Sequence, residues 1–218
     1  MPRPMIQPLG DSAFFVAAPP PATLTCQARV WKVAEQARQW PHIVDVVPGM
    51  NNLTIVFDPL AADAPALARQ LEQTWNETAK PVASTGRVLE VPVHYGGAHG
   101  PDLAEVARHA GMTPDEVATR HAAGHYTVYF LGFQPGFAYL GGLDPRLHTP
   151  RRATPRLQVA AGSVGIGGEQ TGVYPAVSPG GWQLLGRSDL PFFDPQREPP
   201  CLMQPGDQVR FTIASLTA

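Results

Sequence analysis

Residues 132–142 read GFQPGFAYLGG, a stretch that contains four glycines, one proline and three large aromatic side chains. Glycine loses more conformational entropy on folding than any other residue, so a glycine-dense segment needs a reason such as left-handed backbone angles or a close backbone approach. Twelve of the 21 glycines lie between Gly132 and Gly186, whereas three lie before residue 95. This change in composition predicts that two different architectures are joined in one chain.

The part of the chain before residue 91 shows alternating helix and strand patterns. Apolar residues recur at helical spacing from Val30 to Trp40, and Pro65 opens a second amphipathic stretch. Strand-like runs are SAFFVA at 12–17, IVDVV at 43–47, LTIVF at 53–57 and a run near residues 87–93. The turn-forming PGMNN joins the two central runs and predicts a hairpin. The order strand, helix, strand, strand, helix, strand predicts a ferredoxin-like α/β sandwich at residues 1–90.

From residue 91 the pattern changes to short helices followed by many short strands. One helix is predicted from Asp102 to Ala110, with Gly111 ending it in a left-handed conformation, and another begins with a capping box at Thr113. The runs YTVYFL, SVGI, WQLL and VRFTI follow, separated by glycine and proline. Short strands at this spacing predict a β-barrel or sandwich at residues 91–218, so the fold class of the whole chain is predicted to be α+β.

The charge balance limits the classes of partner. Sixteen basic and 18 acidic residues give a net charge of -2, which argues against broad electrostatic binding to nucleic acid or to an anionic membrane. No run approaches the roughly 20 apolar residues of a membrane span, and the AFFVAA run is too short for a signal peptide. Cys26 and Cys201 lack a CxxC spacing, so no disulfide framework or zinc cluster is predicted. These features predict a cytoplasmic protein.

Common nucleotide and metal motifs are absent from the sequence. The run GSVGIGGEQTG, at 162–172, contains neither GxxxxGK[ST] nor the full GxGxxG spacing. His121 and His125 are four residues apart, but no glutamate completes an HExxH motif. We therefore predict no phosphate loop and no metal site in this chain, and the sequence assigns no catalytic nucleophile.

Arginines cluster beside the glycine-dense region. Arg151, Arg152 and Arg156 lie within PRRATPR, where Pro150 and Pro155 stiffen the backbone. Guanidinium groups match carboxylate and phosphate oxygens with two parallel hydrogen bonds, which predicts an anion site. The alternative is a solvated surface loop.

The segment YPAVSPGGWQLLGR, at 174–187, has a similar character. Gly180 and Gly181 would let backbone N–H groups approach a ligand, Trp182 would form a wall and Arg187 would neutralise negative charge. The alternative is a tight turn that enters a barrel strand, with Trp182 in the core.

Seven motifs together resemble a single family. They are PVHYGG (92–97), GPDLAEVARHAGM (100–112), GFQPGFAYLGGLDPRL (132–147), TPRRATPR (149–156), AGSVGIGGEQTGVYP (161–175), SPGGWQLLGR (178–187) and PGDQVRF (205–211). This set resembles the family of KipI and the 5-oxoprolinase B subunit (PxpB), also called the allophanate hydrolase subunit 1 (carboxyltransferase subdomain C/D) family. The resemblance implies an N-terminal ferredoxin-like domain followed by a cyclophilin-like β-barrel. Ala138 departs from the family pattern, in which many relatives carry proline, but the arginines and paired glycines are intact.

The resemblance implies ATP-dependent hydrolysis of 5-oxo-L-proline to L-glutamate, carried out together with the A and C subunits of the same enzyme. ATP would be a co-substrate of the complex that activates the stable lactam, and the charge that develops needs fixed positive groups. The residues predicted to bind the substrate carboxylate or an activated phosphate are Arg151, Arg152, Arg156 and Arg187. Backbone donors at Gly180 and Gly181 would assist them, and Gln170, Thr171 and Tyr174 are candidate orienting partners.

Two further groups of residues receive roles on the same basis. His94 and Asp102 are candidate acid–base groups, and a helix-capping role is the stronger interpretation of Asp102 because carboxylates favour helix starts. Phe133, Phe137 and Tyr139 are predicted to line a groove together with Trp182, since aromatic side chains are enriched at binding sites. Core packing is the alternative for these rings.

Two other functions are compatible with the resemblance. KipI is an inhibitor of a sporulation kinase. If this chain is a regulatory module of the same kind, it would use the same groove to bind a sensor histidine kinase. Related domains also occur in urea- and allophanate-metabolising enzymes that depend on biotin, although no biotin-accepting lysine motif is evident in the sequence.

Overall fold

The computed structural model of the protein describes residues 3–78 and 86–217. The chain divides into two compact units, residues 1–84 and 85–218. The first contains β1 (Met5–Pro8), β2 (Ala13–Ala17), α1 (Leu24–Ala37), β3 (Ile43–Gly49), β4 (Asn52–Phe57) and α2 (Ala64–Glu77). Among the described residues, no helix is both long enough and apolar enough to cross a lipid bilayer.

The second unit contains four helical and strand segments before its glycine-dense half: β5 (Val88–Gly96), α3 (Leu103–Ala110), α4 (Pro114–Ala122) and β6 (Tyr126–Leu131). It continues with β7 (Ala138–Gly141), a 3₁₀ turn (Pro145–Leu147), β8 (Arg156–Val159), β9 (Ser163–Gly167), β10 (Gln170–Val173), β11 (Ser178–Gly180), β12 (Gln183–Arg187) and β13 (Gln208–Thr217). The chain is therefore mixed α and β, as predicted.

The first unit is a four-stranded antiparallel sheet with the strand order β1-β2-β4-β3. The predicted hairpin is confirmed as β3 and β4, and both predicted helices form. Each helix buries the face that its apolar spacing indicates, with Val33 on α1 and Leu71 and Trp75 on α2 nearly or fully inaccessible. The core of this unit therefore follows directly from local periodicity.

The predicted last strand of this sheet, the run near residues 87–93, is instead β5 of the second unit. It pairs in parallel with β13 and in antiparallel with β12, and β1 takes the edge position beside β2. The prediction of a strand in this run is right, but its assignment to the first sheet is wrong. The alternation of Val91, Val93 and Tyr95 indicates that one face of the strand is buried. It does not indicate which sheet the strand joins.

The second unit is a closed barrel with the strand order β10-β7-β6-β13-β5-β12-β9. The ribbon formed by β8 and β11 lies outside this closed sheet. Closure pairs the edges that an open sheet would leave free. The barrel prediction is thus confirmed.

The local signals that begin and end the barrel helices act as predicted. The Thr113 side chain accepts from the Glu116 backbone N–H, and the Glu116 carboxylate accepts from the Thr113 backbone N–H at 2.7 Å. Gly111 ends α3 with φ of 66°. These motifs fix where α3 and α4 meet at the barrel wall.

A buried histidine sits within the barrel core. The side chain of His121 is inaccessible, its Nδ1 lies 2.7 Å from Tyr95 Oη and its Nε2 lies 2.9 Å from Thr171 Oγ1. Thr171 donates its own proton to the Gly165 carbonyl, so Nε2 carries a proton and Nδ1 accepts from Tyr95. Burial lowers the pKa of His121 to about 3, because the interior offers no solvation for an imidazolium.

Candidate functional site

A cavity of about 210 Å³ lies beside the ribbon of β8 and β11, outside the barrel core. Its lining is aromatic and glycine-rich, with one arginine, and consists of Phe133, Phe137, Tyr139, Arg151, Pro155, Tyr174, Pro179, Gly180, Gly181 and Trp182. We call this cavity the aromatic groove. Every lining residue except the two prolines is a candidate site residue predicted from the sequence, and three separate segments of the chain form the lining.

The floor of the aromatic groove is an edge-to-face arrangement of rings. Phe137 meets Tyr174 at 5.2 Å and Trp182 at 5.4 Å between ring centroids, in both cases at 81°. Such T-shaped contacts satisfy the ring quadrupoles and hold the rings rigidly. Phe137 and Trp182 are almost completely buried. Trp182 therefore packs in a small cluster, as its alternative interpretation stated, and also forms a wall of the groove.

Phe133 stands at the mouth of the groove in a strained conformation. Its φ of 67° is in the left-handed region, which costs a side-chain-bearing residue about 1–2 kcal/mol. The ring is nevertheless 61% exposed and touches Phe137 edge-on at a centroid distance of 5.4 Å. Burial does not compensate the strain, and residues of this kind concentrate at ligand sites.

Gly180 lets the backbone lie directly over the hydroxyl of Tyr174. A Cβ atom at Gly180 would approach Tyr174 Oη to 2.5 Å, so any other residue would displace the ring. Burial raises the pKa of Tyr174, and the backbone N–H of Trp182 partly opposes this rise. At Gly181 an added Cβ would make only ordinary contact with Pro155, so glycine is not sterically required there.

Arg151 is the arginine of the predicted set that lines the groove. Its guanidinium carbon lies 5.9 Å from the centroid of the Trp182 ring, within the range of a cation–π contact. The side chain is exposed. A guanidinium stacked on the wall of an apolar pocket can donate hydrogen bonds to a carboxylate while the rest of a small ligand contacts the rings.

Arg152 and Arg156 point at a different group. Both donate to Asp102 Oδ1, from Arg152 Nη1 at 3.0 Å and from Arg156 Nη2 at 2.7 Å. The other oxygen, Asp102 Oδ2, accepts from the Leu184 backbone N–H at 2.7 Å. We call these three charged residues the Asp102 cluster. It adjoins the groove, because the Arg152 N–H donates to the Gly181 carbonyl at 2.7 Å.

The helix-capping prediction for Asp102 is wrong. Asp102 occupies the position before α3, but its side chain makes no hydrogen bond to the first turn of that helix. Two guanidiniums take one of its oxygens in charge-assisted hydrogen bonds, and the Leu184 N–H takes the other. With both oxygens engaged, the geometry favours a positioning role for Asp102 over proton transfer.

The sequence matches the family described as carboxyltransferase domain, subdomain C and D, over residues 4–203. The chain belongs to this family. A relative in Escherichia coli O157:H7, the B subunit of 5-oxoprolinase, is 50% identical over 206 residues, which cover 93% of each chain. The 5-oxoprolinase B subunit of Haemophilus influenzae is 49% identical over 211 residues, which cover 97% of this chain and 98% of that protein. The family resemblance found in the motifs is confirmed.

A solved structure shares the fold of this chain. The crystal structure of TTHA0988 in space group P212121 superposes with a TM-score of 0.81 at 37% sequence identity. The match covers 97% of this chain but 40% of that chain. In TTHA0988 the fold of this carboxyltransferase family therefore forms part of a longer polypeptide.

Two predicted site residues of this carboxyltransferase-family chain lie on the outer face of the barrel, and neither lines the groove. Arg187 on β12 is directly opposite His94 on β5. His94 Nδ1 lies 2.8 Å from Ser215 Oγ, and its Nε2 lies 3.5 Å from Asp189 Oδ2. The Nε of Arg187 is buried and, among the described residues, has no hydrogen-bond partner. The structure brings His94 and Arg187 to each other rather than to Arg151.

Two other predicted residues are also not at the groove. Thr171 faces the barrel interior, where it bonds to His121 and to the Gly165 carbonyl. Gln170 begins β10 and is half-buried, and its Nε2 finds no partner within the described part of the chain. Alternation along β10 places neighbouring side chains on opposite faces, so both could not reach one ligand.

A larger concavity of about 580 Å³ lies between α4 and the segment after β7. Both arginines of its lining are paired with one carboxylate: Asp144 accepts from Arg120 at 3.2 Å and from Arg146 at 2.7 Å. Hydrogen bonds from Arg146 hold the pKa of Asp144 well below its usual range. The arginines of this concavity are thus engaged by Asp144, whereas the aromatic groove combines an apolar wall with Arg151, which forms no salt bridge to any residue that the structure describes. Within residues 3–78 and 86–217, no group of three His, Cys, Asp or Glu side chains is arranged to hold a metal ion.

Proposed function

We propose that this chain is the B subunit of an ATP-dependent 5-oxoprolinase, which hydrolyses 5-oxo-L-proline to L-glutamate together with partner subunits. The names of the relatives that match it over nearly its full length support this proposal. The aromatic groove supports it independently, because its size and chemistry fit a small ring that carries one carboxylate.

The observation that carries the proposal is Arg151 stacked on Trp182 at the wall of the groove. A five-membered lactam would lie against the rings of Phe137 and Tyr139, and its carboxylate would pair with the Arg151 guanidinium. A cavity of about 210 Å³ can hold one molecule of this size with its polar end directed at the arginine. Rigid aromatic walls would reduce the entropy cost of ordering the ligand.

The energetic demand of the reaction explains the role of ATP. An unstrained amide resists hydrolysis, so phosphorylation of the lactam oxygen by ATP, with release of ADP, would make the carbonyl carbon electrophilic enough for water to add. Cleavage of the C–N bond would then open the ring and leave an acyl phosphate, and a second water would release phosphate from it to give glutamate. The protein then needs fixed positive charge where the phosphoryl oxygens gather, since this charge stabilises the transition state without reorganisation. Arg152 and Arg156 adjoin the groove without lining it, and they could supply this charge.

Partner subunits, which we propose to be the A and C subunits of the same enzyme, would complete this site. Exposed apolar side chains lie on the segments that frame the groove: Phe133 is 61%, Leu157 is 92% and Val177 is 56% exposed. Apolar side chains around a cavity mark a surface that another protein covers. The longer TTHA0988 chain, of which more than half lies outside the match, is consistent with a fused partner.

We further propose the finer fold names, a ferredoxin-like sandwich and a cyclophilin-like barrel, and a cytoplasmic location. Two features support the first name: the element order β2-α1-β3-β4-α2 and the pairing of β3 with β4. The edge position beside β2, where a ferredoxin-like fold has its last strand, is taken by β1. The closed barrel of seven strands supports the second.

The proposed function is tested by mixing this chain with purified A and C subunits, ATP and 5-oxoproline. We expect stoichiometric glutamate and ADP with all components present, and no glutamate when this chain is omitted. Full turnover without this chain would contradict the proposal, as would no turnover with every subunit present.

Replacing the strained Phe133 with asparagine separates stability from function. Asparagine tolerates left-handed angles, so we expect the free energy of unfolding of the Phe133→Asn variant to stay within about 1 kcal/mol of wild type. Loss of the ring from the groove should lower kcat/KM for 5-oxoproline about 10-fold, in keeping with the energy of an aromatic contact. Urea unfolding and glutamate release measure the two effects.

The control for this variant is Val44→Asn, which changes an exposed apolar residue on β3 of the first unit. It should leave turnover unchanged. Unaltered turnover in Phe133→Asn would show that the ring at the groove mouth takes no part in the reaction.

A further inference from the structure

The Asp102 cluster concentrates charge at one point. The Asp102 side chain is 5% exposed, and a single oxygen accepts from both Arg152 and Arg156. Repulsion would normally keep two guanidiniums apart, and the shared carboxylate overcomes it. The Leu184 N–H at the second oxygen prevents the carboxylate from rotating. Both arginines are thereby held in one conformation.

One carboxylate does not neutralise two guanidiniums, so the cluster keeps one net positive charge. Among the described residues, Asp102 is the only acidic side chain paired with either arginine. Arg152 Nε and Arg156 Nη1 are buried and also have no acceptor among the described residues, so nothing there offsets their share of the positive charge. The arginine side chains remain 36% and 23% exposed, so a solute can reach the pair although it cannot reach Asp102.

The cluster is also tied to the groove. The Arg152 backbone N–H donates to the Gly181 carbonyl, and Pro155 lies between the two arginines and lines the groove. Arg156 pairs with Gly180 across the ribbon of β8 and β11. A ligand seated against Arg151 would therefore have the cluster at the edge of its binding site.

We propose that Asp102 is a positioning residue that holds Arg152 and Arg156 as a clamp for a tetrahedral oxyanion, the phosphoryl group of the reacting species, while Arg151 takes the carboxylate. This inference rests on the proposed function. Two guanidiniums from different residues can donate to an anion with three terminal oxygens, whereas the two oxygens of a carboxylate can both accept from a single guanidinium. In this division of roles, Arg151 binds the substrate in its ground state, and the Asp102 cluster stabilises the negative charge that develops during the reaction.

The first test replaces Asp102 with asparagine, which keeps the shape and an acceptor for the Leu184 N–H but removes the charge that gathers the arginines. In the reconstituted complex we expect kcat to fall about 30-fold while KM for 5-oxoproline changes less than 2-fold, as for loss of an interaction made mainly in the transition state. Arg156→Lys keeps the charge but loses the fork, and should give the same pattern in a milder form.

The matched control is Asp144→Asn, because Asp144 also accepts from two arginines, Arg120 and Arg146, on the same barrel. It should leave kcat and KM unchanged. Equal losses of kcat in Asp102→Asn and Asp144→Asn would show that breaking any such pair weakens the barrel, and would overturn the clamp. A rise in KM with unchanged kcat would overturn it as well.

The second test uses the isolated full chain and does not depend on turnover. We expect 10 mM inorganic phosphate to raise the thermal unfolding midpoint of wild type and Asp144→Asn, relative to chloride or acetate at equal ionic strength. Asp102→Asn and Arg156→Lys should lose this stabilisation. No specific phosphate effect on wild type would contradict the clamp, whereas phosphate stabilisation without 5-oxoprolinase turnover would support the clamp and contradict the proposed function.

Discussion

Replacing Arg151 with alanine is expected to lower kcat/KM for 5-oxoproline about 100-fold in the reconstituted complex. The guanidinium over Trp182 is the groove's own cation, and a charge-assisted hydrogen bond to a carboxylate contributes about 1.5–3 kcal/mol. Because the carboxylate is present in both substrate and transition state, most of the loss should appear as a higher KM. Arg151→Lys should recover part of it, since a lysine supplies charge without the planar fork.

Steady-state measurement of glutamate release over a range of 5-oxoproline concentrations gives these constants. Arg108→Ala is the control, because Arg108 is also an exposed arginine and its salt bridge among residues 3–78 and 86–217 is to Glu105 on the same helix. Thermal unfolding should be the same in all three variants, since Arg151 is exposed. An Arg151→Ala enzyme within 3-fold of wild type would remove the basis for placing the lactam in this groove.

The barrel is expected to lose about 3 kcal/mol of stability between pH 7 and pH 4.5 because of His121 alone. The folded pKa of His121 is lowered by burial to about 3, below the ordinary value of 6.5. Between these two values the unfolded chain binds a proton that the folded chain excludes, so stability falls as the pH falls from about 6.5 towards 3. Each pH unit below 6.5 removes about 1.4 kcal/mol from the free energy of unfolding, so the two units down to pH 4.5 remove about 3 kcal/mol.

Local geometry gives the physical reason for this penalty. Nδ1 of His121 accepts from the Tyr95 hydroxyl, so a proton on that nitrogen would set two donors against each other in a site without water access. His121→Gln keeps hydrogen-bonding capacity but cannot titrate. The variant should be less stable at pH 7, and its stability should change about 3 kcal/mol less than that of wild type between pH 7 and pH 4.5.

Amide hydrogen exchange of barrel segments, corrected for the intrinsic effect of pH, measures this difference within the second unit. The control is His125→Gln, because His125 is exposed and should leave the wild-type pH dependence intact. The same acid sensitivity in wild type and His121→Gln would mean that other groups cause it.

Much of the fold could be predicted from the sequence because its signals are local. The capping box at Thr113 and the left-handed Gly111 are decided by residues within one turn, and both appear as predicted. The spacing of Leu67, Leu71 and Trp75 likewise identifies the buried face of α2. The aromatic and glycine segments that build the aromatic groove can also be recognised by their composition, but they lie at 133–139, 151–155 and 174–182, so only the tertiary structure brings them together.

The sequence could not place β5 or divide the arginines among sites. Residues 88–96 have the alternation of a strand, but their partners on β13 lie at residues 208–217. Arg151 and Arg152 are adjacent in sequence, yet one lines the groove and the other donates to Asp102. Neighbouring side chains on an extended segment point in different directions, so a run of arginines does not imply a single anion site.

By itself, then, the sequence determined the presence of the four predicted helices, the residues at which α3 ends and α4 begins, the hairpin of the first unit, and the short strands of the second unit, which its pattern left as a barrel or a sandwich. Only the tertiary structure decided the sheet to which β5 belongs, the separation of Arg187 from Arg151, and the role of Asp102. The hydrogen bonds of Asp102 join residues 50, 54 and 82 positions apart. Contacts over such separations depend on how the strands close the barrel, which local periodicity and propensity do not encode.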